Sequence, residues 1–63
     1  MKSYKFSVGE LVYMESDQQE SVVFGFITER FQNLLYGQYL NEYGVKWFDD
    51  KNTIEDEDMI KGV

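Results

Sequence analysis

The sequence predicts a mainly all-β fold: a small, strongly bent barrel of four or five antiparallel strands, with a short helical turn near the C-terminus, in one domain over residues 1–63. Three observations lead there. The run Ser21–Phe31 (SVVFGFITERF) is rich in β-branched and aromatic residues, which suit a pleated, half-buried surface. In Glu42–Phe48, Tyr43, Val45 and Trp47 alternate with Gly44, Lys46 and Phe48, the two-residue period of a strand. Glycines at 9, 25, 37, 44 and 62, with polar clusters at Ser16–Ser21 and Asp49–Asn52, punctuate the chain at strand-length intervals.

The first strand is expected at Glu10–Glu15, with Leu11 and Tyr13 on one face and Val12 and Met14 on the other. Ser16–Glu20 is polar without apolar period and reads as a hairpin loop. In the second strand both faces begin apolar, so it lies centrally or has its second face covered. Gly25 within it marks a bulge or sharp bend. Gln32–Asn41 admits two readings: a helical turn with Phe31, Leu34 and Leu35 on one side and Gly37 ending it, or an excursion between strands. After the third strand, Asp49–Asn52 is a turn. A short fourth strand spans Asn52–Glu55 with Ile54 inward. Asp56–Ile60 reads as one helical turn, its acids at the positive end of the helix dipole and Lys61 and Gly62 at its close. Val63 completes a last short strand. Val8, Val12, Val23, Ile27, Val45, Trp47 and Ile54 are the expected core.

Composition narrows the chemistry. The chain has no Cys, His or Pro. Thiol nucleophiles, imidazole bases, disulfides and the usual zinc sites are excluded. No cofactor and no dedicated metal site are expected. A domain of this size hides only about 60% of the surface its unfolded chain exposes, so aromatic packing or association has to supply stability. No segment has the h-region of a signal peptide, and no run approaches the roughly 18 apolar residues of a membrane helix. A cytoplasmic protein without a membrane partner is the expectation. The net charge of −6 is concentrated: Asp49–Asp58 carries six acids and one lysine.

Four pieces, VGELVY at Val8–Tyr13, GFITERF at Gly25–Phe31, EYGVKWFDD at Glu42–Asp50 and IEDEDMI at Ile54–Ile60, together resemble the SH3-like small barrels of the Tudor and chromo type. In those barrels a Val-Gly-acid opening starts the first strand, a Gly-x-Ile pair marks the bent second strand, and a Tyr-x-Val-x-Trp strand precedes a turn, a short strand and an acidic helical turn. Two departures stand out. Gln32–Asn41 is longer than the usual turn between the second and third strands, and no sequence remains for the longer terminal helix of the chromo type. The resemblance therefore implies the barrel and not a histone-reading role. The compact acidic chain also looks like small uncharacterised proteins of tailed bacteriophages, for which the host cytoplasm is the implied location.

Several site chemistries follow, each against a structural alternative. Some Tudor and chromo barrels hold methylated lysine or arginine between aromatic rings. By resemblance the cage candidates are Tyr13, Tyr43, Trp47 and Phe48, beside Asp49 and Asp50; alternatively these rings are core or rim packing. Single-stranded nucleic acid needs stacked aromatics and a basic groove. The aromatics are present, but Lys2, Lys5, Arg30 and Lys46 are scattered among more numerous acids, so nucleic acid is not the expected partner. The acidic patch Asp49, Asp50, Glu55, Asp56, Glu57 and Asp58 suits basic partners, weak binding of hard cations, or imitation of phosphate charge by an inhibitor of a host enzyme; alternatively it is a solvated loop. An enzyme is not expected, because the hydroxyls have no evident base and so small a barrel has little room for a water-excluding pocket.

Protein interaction carries the most weight. Phe24, Phe26, Phe31, Leu34, Leu35, Tyr36, Tyr39 and Leu40 exceed what one tiny core accommodates beside the strand residues. The binding candidates are Phe31, Leu34, Leu35, Tyr36, Tyr39 and Leu40, and the partner is another protein or a second copy of the chain. The alternative is that Gln32–Asn41 folds back over the open end of the barrel and buries them.

Overall fold

A computed structural model describes residues 3–15 and 22–63. The expected loop at Ser16–Glu20 lies outside the described residues. Among the described residues five strands form one open antiparallel sheet: β1 (Leu11–Glu15), β2 (Val22–Leu35), β3 (Gln38–Trp47), β4 (Asn52–Asp56) and β5 (Lys61–Gly62). Their order across the sheet is β4-β3-β2-β1-β5. A 3₁₀ turn, Glu57–Met59, precedes β5. The mainly-β class, the five antiparallel strands and the late helical turn agree with the sequence reading.

The long pair β2–β3 organises the molecule. Its register runs from Gly25↔Trp47 to Ile27↔Val45, slips at Thr28, and continues from Glu29↔Gly44 to Leu35↔Gln38. Thr28 is therefore the extra residue of a β-bulge, which bends the strand and increases its twist. A straight strand of 14 residues would span roughly 45 Å, more than the 36 Å long dimension of the molecule. Of the bulge or sharp bend expected at Gly25, the bulge is corrected. Gly25 sits in regular register, and a Cβ there would lie 2.7 Å from the carbonyl oxygen of Lys46 and 2.8 Å from Cε3 of Trp47. The glycine makes room for the indole.

The core consists of Phe6, Val12, Ile27, Tyr43, Val45, Trp47 and Ile60, with Tyr4, Met14 and Val23 packed against it. Two expected members are corrected. Val8 is exposed in the turn before β1, where Gly9 adopts φ 88° and its N–H donates to the Ile27 carbonyl. Ile54 is 62% exposed. It pairs with Gly44, whose neighbours Tyr43 and Val45 face the core, so Ile54 faces outward by alternation. Thr53 takes the inner side and accepts a hydrogen bond from Trp47 Nε1 at 2.7 Å.

The N-terminal segment closes the core by polar contacts. Tyr43 Oη accepts hydrogen bonds from the N–H of Lys5 (2.9 Å) and Phe6 (3.3 Å) and donates to Glu57 Oε2 at 2.5 Å. The same carboxylate oxygen accepts from the Lys5 N–H and from Asn41 Nδ2. Glu57 thus ties the 3₁₀ turn to β3 and to the chain start, and Tyr4 and Phe6 meet the Tyr43 ring edge-on at 6.1 and 5.3 Å.

Candidate functional site

Gln32–Asn41 is neither a helical turn nor a flap over the barrel end. It is the distal half of the β2–β3 hairpin, closed by Tyr36-Gly37 with φ 50° and 77°. Two successive positive φ values are those of a type I′ turn, whose twist matches that of the strands it joins. The hairpin extends past its neighbours: the β1 register on β2 ends at Leu11↔Phe26, and the β4 register on β3 ends at Glu42↔Asp56.

Register assigns its faces. Leu34 lies opposite Tyr39, and Gln32 opposite Asn41, on the side that carries Tyr43 further down the strand. Phe31, Leu35 and Leu40 share the other side. Leu34, Leu35, Tyr36, Tyr39 and Leu40 are all exposed, Tyr36 at 95%, whereas Phe31 at the base is half-buried. Both faces of this arm are therefore apolar and open to solvent. From Phe31 to Asn41 there is no charged residue. The base is fixed: Asn41, itself buried, accepts from Gln32 Nε2 at 3.0 Å and donates to the Ser3 carbonyl at 2.8 Å and to Glu57. On the other face Asn33 Nδ2 donates to Glu42.

The four cage candidates do not converge. Tyr43 and Trp47 lie in the core, with relative exposures of 0% and 3%. Tyr13 faces the other side of the sheet, where its ring lies 6.1 Å from that of Phe24, and Phe48 is exposed beyond the end of β3. Alternation along the strand explains the split, since the neighbours Val12 and Trp47 point inward. An open cleft of about 550 Å³ does bring Trp47 near Asp49, Asp58 and Met59. Trp47 offers no open ring face there. Lys51 and Lys61 also line the cleft, and they pair with Asp49 at 3.9 Å and Glu15 at 3.2 Å.

The acidic candidates disperse in the same way. Asp49 and Asp50 occupy the β3–β4 turn. Glu55 is half-buried opposite Tyr43, Asp56 lies opposite Glu42, Glu57 is engaged inward by Tyr43 and Asn41, and Asp58 is exposed. Among the described residues no group of three or more acidic side chains is arranged to hold a metal ion. The Tyr43 hydroxyl is raised above the usual 10.0, first by burial and then by its hydrogen bond to Glu57. No helix among the described residues is long and apolar enough to cross a membrane.

No family model, curated protein or solved structure matches the chain.

Proposed function

We propose that this chain is a non-enzymatic protein-interaction module that binds through the distal β2–β3 hairpin. The observation that carries the reading is Tyr36. Its φ of 50° falls in the left-handed region, where glycine, asparagine and aspartate are the favoured residues. A tyrosine there costs conformational energy, and at 95% exposure its ring recovers nothing from the fold. A strained, exposed aromatic at the tip of an uncharged apolar arm supports a contact made outside this chain.

The SH3-like resemblance belongs to the same proposal. The strand order β4-β3-β2-β1-β5, the bulged second strand and the 3₁₀ turn before the last strand support it. The bacteriophage likeness is also part of this proposal; under it the module is an accessory protein acting on a phage or host partner. Affinity capture from the native host tests the interaction reading, with wild type compared against a Leu34→Lys/Leu40→Lys double variant. A protein retained by wild type and lost from the variant is expected. Identical capture profiles would remove the hairpin from the function.

A further inference from the structure

We infer that the surface covering this hairpin is the same hairpin of a second copy, related by a two-fold axis; the inference rests on the interaction reading above and names the occupant. Charge is the first argument. Each chain carries −6, and acids are spread over the turn after β3, over β4 and over the 3₁₀ turn. Two copies meeting on those surfaces would oppose like charges. The segment Phe31–Asn41 carries no charge on either face, so copies meeting there oppose none. It equally offers no charge for recognition of a charged partner.

Area is the second argument. A stable interface removes about 800 Å² from each partner. The accessible surface of the chain is 4766 Å², so this amounts to roughly one-sixth of it. Phe31–Asn41 is eleven of 63 residues, the same share, and most of it is exposed. A contact of that size would take up most of the arm, from both faces. Chemistry is the third. Interfaces between identical subunits are more apolar than those of transient complexes. Here leucines and tyrosines face solvent while Gln32 and Asn41 at the base bond to each other. An isologous contact sets this patch against itself, apolar on apolar.

Sedimentation equilibrium across roughly 1–200 µM, concentrations at which small homodimers are separated from monomers by mass action, reads the mass directly. Wild type is expected at twice the 7.5 kDa chain mass at the upper end. The Leu34→Lys/Leu40→Lys variant is expected to raise the dimer dissociation constant at least about 100-fold, as loss of central anchors does. Ile54→Lys, which charges an exposed apolar residue on β4, is expected to leave the dimer intact. Far-UV circular dichroism checks that each variant is folded, and Tyr36→Lys, altering the fully exposed turn residue, serves as a second hairpin variant. A wild-type monomer throughout overturns the inference, as does a dimer that survives both hairpin variants. If wild type is monomeric while hairpin-dependent capture persists, the second copy is the wrong occupant and the interaction reading stands. If the hairpin variants change neither mass nor capture, both fall.

Discussion

Tyr43 shows how one hydroxyl organises the interior. It accepts from two backbone N–H groups and donates to Glu57, so removing it leaves the buried Phe6 N–H without its acceptor and takes one partner each from the Lys5 N–H and the Glu57 carboxylate, which keep their bond to each other. Tyr43→Phe is expected to cost about 1–3 kcal/mol, the penalty for orphaning buried polar groups, measured by urea denaturation. The same residue sets an alkaline limit. Its proton is held more tightly in the folded chain than in the unfolded one, because burial and Glu57 disfavour the phenolate. That stability is complete below pH 10 and declines as the pH rises past 10 towards the folded-state value. Melting temperatures between pH 9 and 11 should therefore fall more for wild type than for Tyr43→Phe. An equal fall would mean that other groups govern alkaline unfolding. Gly25 sets a steric limit of a similar kind. Gly25→Ala forces a methyl against the Lys46 carbonyl and the Trp47 ring, and overpacking of this sort costs about 1–3 kcal/mol. The β-sheet would have to separate locally for the variant to be neutral.

At the scale of elements, the strands were legible because alternation and β-branching are local properties. Tyr43, Val45 and Trp47 point one way in the sequence pattern and are all buried. Two kinds of information were not local. Ile54 faces out because its register partner is Gly44 on the outer face, and register depends on chains meeting in space. Phe6 and Ile60 enter the core from segments outside the long strands, which carry no period of their own. A glycine in the strand suggests a bulge at 25, but the bulge lies at Thr28, since the break in pairing is decided by where the β2–β3 ladder slips. The candidate hairpin was half legible. Its surplus of large apolar residues stands in the sequence, but Tyr36-Gly37 lacks the asparagine or aspartate that usually announces a type I′ turn. Tyr36→Asn repairs that mismatch. The variant is expected to raise stability by about 0.5–1 kcal/mol, a fraction of the left-handed penalty, while weakening hairpin-dependent association. A variant that gains stability without losing association would show that the ring is not part of the contact.

The whole molecule combines a small core with a large charge and one uncharged arm, and this combination predicts how association responds to salt. Most protein contacts between oppositely charged surfaces weaken as ionic strength rises, because screening removes their attraction. A contact made by Phe31–Asn41 has no attraction of that kind to lose. What salt does screen is the repulsion between two chains of −6 as they approach. At about 0.1 M the screening length is roughly 10 Å, and at 1 M about 3 Å. These distances are short beside the 36 Å long dimension of the chain, so charges away from the arm contribute little once salt is present. Raising sodium chloride from about 0.02 to 0.5 M should therefore leave self-association unchanged or tighten it by a few-fold, as screened repulsion between like surfaces requires. An inhibitor built on phosphate-like charge would behave in the opposite way, its complex loosening steeply over the same range. Light scattering of the chain alone along a salt series reads the self-association directly. Association that weakens with salt would place the contact between oppositely charged surfaces, acidic segment against basic side chains, instead of on the arm.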